Sequence, residues 1–151
     1  MGVTIHYVGK AKDSKSAGAA LQQLETIARA KRWFFQRSST KKKAARVLIH
    51  PKCDPIHIEF NSKLRIDDFV KTQFAPLGVH LIVLKVLEDL RPHFSSLTIE
   101  DEGGYLETRS RTNLKKNRDA FSKALKKHLK EHPNAQGPVM LPSGRWVDVI
   151  E

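Results

Sequence analysis

His80, Glu100, Tyr105 and Glu107 are the side chains of this chain whose types and spacing could do chemistry. Gly103 and Gly104 tolerate positive φ, so a two-residue turn there would fold residues 97–102 against 105–108 as a hairpin. In that register Glu100 stands opposite Glu107, and like charges side by side in a sheet cost stability unless something compensates. A proton retained by one carboxyl would make an acid and base pair, whereas a cation would need further oxygen or imidazole ligands. A basic neighbour such as Arg109 would instead make the pair an ordinary solvated, ion-paired face. His80 lies at helical pitch beside Val83, Leu84 and Leu87, where a buried imidazole needs a hydrogen-bond partner. Lys71, Thr72, Gln73 or the glutamate face would supply one, giving either a structural histidine or a pocket lined by His80, Glu100, Tyr105 and Glu107.

The element that must position His80 is the apolar run over residues 74–94. At helical pitch its Leu and Val side chains cover most of the circumference, and Pro76 and Pro92 bracket it as start and stop signals. Lys85, Glu88, Asp89 and Arg91 interrupt it, so it is expected to be a core helix rather than a membrane span. Residues 3–8 alternate as a strand. Ser14 or Ser16 is expected to cap a helix running to about residue 32, with Ala17, Leu21, Leu24 and Ala28 on one face. Trp33, Phe34 and Phe35 follow, and residues 36–44 are expected to form a mobile basic loop. Strands are expected over 47–50 and 56–60, joined by a turn that Pro51 and Pro55 enforce, with residues 61–73 leading into the core helix. Ser110 or Thr112 is expected to cap a third helix, and residues 139–150 a closing hairpin.

Two further groups of residues are candidates for binding. His50, Cys53 and His57 surround the proline-bracketed turn and are transition-metal ligand types, although structural zinc usually draws on closely spaced cysteine pairs, so a polar turn is the expectation. Lys115, Lys116, Lys123, Lys126, Lys127 and Lys130 fan across the face of the third helix opposite Leu114, Phe121, Leu125 and Leu129. With Lys41, Lys42 and Lys43 they could neutralise phosphates and release counterions. Trp33, Phe34 and Phe35 could stack bases, although aromatics after a helix more often enter a core. No Walker glycine loop, G-x-S-x-G elbow or HExxH sequence points to a cofactor or a reaction.

The chain of 151 residues fits a single domain over 1–151 that can bury a core without staples. One cysteine excludes an internal disulfide, and the first residues lack a signal peptide's apolar run, so a cytoplasmic location is expected. The net charge of +11 is unevenly spread: 11 basic against 2 acidic side chains over 1–46, 6 against 10 over 47–108, and 10 against 4 over 109–151. Basic ends around an acidic middle argue for an anionic partner, nucleic acid being the commonest.

The expected class is α+β: an antiparallel sheet with a ferredoxin-like βαββαβ core, an additional hairpin strand, a third helix and a C-terminal hairpin. Residues 69–76 with His80, and residues 101–108, resemble segments of uncharacterised bacterial proteins. That resemblance implies that His80, Tyr105 and Glu107 belong to one constellation, and it assigns no reaction. The function expected is a small binding or interaction domain whose basic faces engage an anionic partner, with homodimerisation through a sheet edge as a further way to associate. The alternative is an enzyme, or a small-ligand or metal-binding domain, built on the His80, Glu100, Tyr105 and Glu107 pocket.

Overall fold

A computed structural model of the protein describes residues 3–105 and 109–150. In chain order the elements are β1 (Thr4–Ala11), α1 (Ser14–Lys31), β2 (Phe34–Arg37), β3 (Ala44–Leu48), β4 (Ile56–Glu59), β5 (Arg65–Lys71) and α2 (Leu77–Leu90). A 3-10 turn (Arg91–His93) then leads into β6 (Phe94–Asp101), α3 (Arg111–Glu131), β7 (Val139–Met140) and β8 (Trp146–Val147). The class is α+β, as expected, with the strands in three small antiparallel sheets ordered β5-β1-β6, β2-β3-β4 and β7-β8.

β1 is the central strand because its alternation is clean. Ile5, Tyr7 and Ala11 are buried, while Val8 on the opposite face is half exposed. Gly9 allows the close approach of β6, since a Cβ there would lie 2.8 Å from the Ser96 carbonyl oxygen. α1 and α2 share one core with Ile5 and Tyr7: α1 contributes Ala17, Ala20, Leu21, Leu24 and Ala28, and α2 contributes Val79, Val83, Leu84, Val86, Leu87 and Leu90. The apolar run therefore forms the core helix that its pattern predicts, starting after Pro76. A hydrogen bond from Gln23 Nε2 to the Asp89 carbonyl (3.1 Å) pins the two helices together.

Several local expectations differ from the structure. α1 is capped by Asp13, whose carboxylate accepts from the Ser16 N–H at 2.7 Å, not by Ser14 or Ser16. Residues 65–71 are not a connector but the strand beside β1. Their alternation is disguised because an ionisable side chain, Asp68, occupies the inward face between buried Ile66 and Val70. Phe34–Arg37 also forms a strand, so Gln36 and Arg37 belong to β2 and Ala44 to β3, with the Ser38 N–H donating to the Ala44 carbonyl at 2.9 Å. No second strand follows Gly103-Gly104 at Tyr105; of the expected partner strand, Leu106, Glu107 and Thr108 lie outside the described residues.

Candidate functional site

α2 carries His80 into the core, where it is fully buried. Its Nε2 lies 2.8 Å from Asp101 Oδ1 at the end of β6, and its Nδ1 lies 2.5 Å from Thr72 Oγ1. Asp101 Oδ1 also accepts the Gly103 N–H at 2.8 Å, and Oδ2 accepts the Tyr105 N–H at 2.9 Å, so the carboxylate is an acceptor and the His80 Nε2 carries a proton toward it. Thr72 was among the partners expected for His80; Asp101 was not.

The glycine pair serves packing at this point. A Cβ on Gly103 would lie 2.5 Å from Leu114 Cδ1, 3.1 Å from Asp101 Oδ1 and 3.2 Å from His80 Cε1, so any larger residue would have to displace the buried Leu114 side chain where α3 meets the imidazole. Asn117 Nδ2 donates to the Gly103 carbonyl at 2.8 Å and ties α3 to the same turn.

Of the four residues expected around a pocket, Tyr105 is tied to the His80 site through its backbone N–H, which caps Asp101; its ring packs at the margin of the core with the Arg109 guanidinium 5.8 Å from the ring centroid. Glu100 is a correction. It neighbours Asp101 on a strand, so its side chain points to the other face, where it is exposed and stands opposite His6 in the ladder with β1. Glu107 lies outside the described residues. What surrounds His80 is a closed, hydrogen-bonded latch joining α2, β6 and α3.

The metal-ligand candidates are also dispersed. His50 Nδ1 accepts the Lys52 N–H at 3.0 Å, Cys53 is buried with its thiol pushed up to about 12 by burial and by neighbouring Asp54, and His57 Nδ1 pairs with Asp68 Oδ2 at 3.0 Å. No group of three or more ligand-type side chains gathers among the described residues.

A polar cluster on β4 and β5 has no counterpart among the expectations. Arg145, from the C-terminal hairpin, reaches Asp68 Oδ1 at 2.5 Å, donates to the Phe69 carbonyl at 3.0 Å and lies 4.4 Å over the Phe69 ring. Burial pushes the Asp68 carboxyl up, but hydrogen bonds from His57 and the Phe69 N–H, together with the Arg145 charge, outweigh it and leave the group below its ordinary value. Asp54 goes the other way: burial dominates and raises it, although the Trp146 N–H (2.7 Å) and Lys71 N–H (3.1 Å) both donate to it. The Tyr7 hydroxyl donates to the His57 carbonyl at 2.6 Å and accepts its N–H at 3.2 Å, and burial foremost raises its pKa far above the usual phenol. No sequence signal links Arg145 to Asp68, 77 residues away.

The lysines of α3 are where the helical pattern puts them. Lys115, Lys116, Lys123, Lys126, Lys127 and Lys130 are all exposed, and among the described residues only Lys127 has a carboxylate nearby, Glu131 at 3.9 Å. Leu114 is the one α3 side chain that is fully buried, although Phe121 meets Phe74 edge-on at 6.2 Å. Lys41, Lys42 and Lys43 form a separate surface: with Arg65, Glu59 and Asp67 they line a cleft of about 630 Å³, and Lys41 is paired with Glu59. That cleft sits at the Arg65 end of β5, whereas α3 is tied by Arg118 to the carbonyls of Gln73 and Ala75, just past the Lys71 end. The two therefore lie toward opposite ends of β5, a strand of seven residues about 20 Å long. Trp33 and Phe35 pack on the core, leaving Phe34 as the exposed aromatic of that trio. No described helix is long and apolar enough to cross a membrane.

Compared with known proteins, the chain matches no family model, no curated protein and no solved structure.

Proposed function

We propose that the chain is a binding domain that holds nucleic acid along α3. The observation that carries the reading is the pairing state of that helix: six exposed lysines, five of them without a carboxylate partner among the described residues, on a helix that commits only Leu114 fully to the core. Twenty-one residues rise about 30 Å, a length over which a polyanion presents many phosphates. So many like charges on one helix repel each other in the free protein, and a polyanion that neutralises them relieves that repulsion and releases its counterions. The Lys41–Lys43 surface contributes less, since Lys41 already has Glu59 and the cleft holds Asp67 as well.

The same reading takes the fold as a ferredoxin-like core. The antiparallel order β5-β1-β6, with α1 following β1 and α2 joining β5 to β6, supports that assignment, β4 then taking the place of the remaining outer strand and β2-β3 being an insertion before it.

The test is a salt titration of binding to mixed-sequence RNA and DNA oligonucleotides by fluorescence anisotropy. Affinity should fall steeply with log salt, and Lys123→Glu, Lys126→Glu and Lys127→Glu together should weaken binding at least about tenfold and lower the salt slope by about 2 to 3. Charge reversal at Lys41, Lys42 and Lys43 should do less. Salt-insensitive binding, or none, overturns the reading.

A further inference from the structure

One face of the β2-β3-β4 sheet turns away from the core. Phe34 stands opposite Leu48, Gln36 opposite Arg46, and Arg46 opposite His57, while their strand neighbours Phe35, Ala45, Val47, Ile56 and Ile58 pack inward. Arg46 divides two clefts on that outer face. One, of about 250 Å³, is polar and is lined by Gln36, Arg37, Ser38, Ser39 and His57; the other, of about 220 Å³, is apolar and is lined by Phe34, Leu48, Pro55, Met140 and Pro142. Among the described residues no carboxylate lines either one, in contrast to the Lys41–Lys43 cleft with its Glu59 and Asp67.

The groups that matter are open to water. Phe34 is 57% exposed and Met140 55%, so two exposed apolar side chains meet in one hollow. Arg46 donates through Nε to Gln36 Oε1 at 3.1 Å and through Nη1 to the Ser143 carbonyl at 3.4 Å. Its Nη2 has no hydrogen-bond partner among the described residues and is not shut off from solvent. Arg37 differs, since Glu25 already holds it at 3.3 Å. The face therefore offers an exposed aromatic ring and, diagonally across the strand pair, a guanidinium with no carboxylate beside it.

We infer that this face takes an unpaired nucleotide of a single-stranded nucleic acid: the base packs against Phe34 in the apolar cleft and the phosphate sits on Arg46 at the rim of the polar one. The inference rests on the nucleic-acid reading above and deepens it, because it makes the polyanion held by α3 single-stranded. Every base has a π-face, and aromatic side chains beside a basic groove hold single strands with little regard to sequence. Bases in a duplex are stacked on one another and offer only their edges, so a duplex brings nothing for Phe34. A peptide would need an acidic and an apolar side chain at one fixed spacing, whereas every nucleotide carries both parts. The C-terminal hairpin that walls the apolar cleft also reaches toward α3: its Ser143 carbonyl accepts from Arg46, and its Trp146 ring lies 5.6 Å from that of Phe74, which meets Phe121. The sheet face and the lysine helix thus border one small element.

The experiment measures anisotropy at fixed moderate salt with three ligands of one length: a mixed-sequence single strand, the same strand annealed to its complement, and an abasic strand carrying the same phosphates. Charge alone favours the duplex, whose phosphates are denser. The expected result is the reverse, with the single strand bound about fivefold or more tighter than either the duplex or the abasic strand. Phe34→Ala should abolish that preference and Phe34→Trp should keep it. Arg46→Gln should lower the salt slope of the single strand by about 1. A duplex or abasic strand bound as tightly as the single strand, a preference that survives Phe34→Ala, or an unchanged slope in a folded Arg46→Gln variant, overturns the inference. If a variant does not fold, the three ligands on the native protein still decide. Equal, salt-sensitive binding of all three removes only the stacking site; no binding of any removes the polyanion reading as well.

Discussion

His80 Nε2 and Asp101 Oδ1 stand 2.8 Å apart with both side chains shut off from solvent. Around that contact one carboxylate serves the imidazole and the N–H groups of Gly103 and Tyr105, so β6, the turn after it and α2 are fixed by a single side chain. Asp101→Ala strands three donors in the interior. A loss on the order of 3 kcal/mol or more in urea denaturation is expected, from a total that is usually about 5–15. Asp101→Asn keeps one acceptor oxygen and should cost less. A change within about 0.5 kcal/mol for the alanine variant would show the contact to be dispensable.

Glycine substitutions should split by location. Gly103→Ala drives a methyl against Leu114 and His80 and should cost about 1–3 kcal/mol. Gly18→Ala, in the interior of α1 with nothing near its added methyl, should instead stabilise by about 0.5–1 kcal/mol. Thermal melts of the two variants check both signs.

Asp68 makes stability depend on acid. Its folded pKa is depressed, so its contribution is present above the unfolded value of about 3.9 and is lost as pH falls through the folded one. Asp68→Asn should therefore cost about 1–3 kcal/mol at pH 7 and progressively less toward pH 3. Urea midpoints measured across that range test it, and a cost independent of pH would contradict it.

Tyr7 does the reverse at high pH. Its folded pKa is raised, so its contribution holds below the unfolded phenol value of about 10 and is lost as pH rises above it. In a Tyr105→Phe background the remaining tyrosine should show no phenolate absorbance until the protein unfolds. Tyr7→Phe should cost about 1–3 kcal/mol at neutral pH, since both backbone groups of His57 lose their hydroxyl partner, and should soften the alkaline limb of stability.

The parts legible in the chain were those written at one period. The strand β1, the core helix α2 with its bracketing prolines, and the lysine and leucine faces of α3 each follow from local spacing. What escaped were contacts that close over long separations. β5 was hidden because Asp68 faces inward for the sake of Arg145, and a residue that breaks the alternation locally is explained only by a partner far along the chain. Thr72 was among the partners expected for His80, but the carboxylate was sought at Glu100 and Glu107 because a hairpin register was imposed on Gly103-Gly104. The turn follows the Asp101 side chain instead, and a shift of one residue on a strand changes which carboxylate points inward. The contact of the Gln73 amide with Asp148, 75 residues further on, likewise leaves no local trace.

The anchoring of α3 decides what mutation of its surface can reveal. Leu114, Asn117, Arg118 and Phe121, all in the first half of α3, grip the body, while Lys123, Lys126 and Lys127 face water and hold no part of that grip. Reversing charges at Lys123, Lys126 and Lys127 should leave the melting temperature nearly where it was, so any lost affinity reports on recognition rather than on a weakened scaffold.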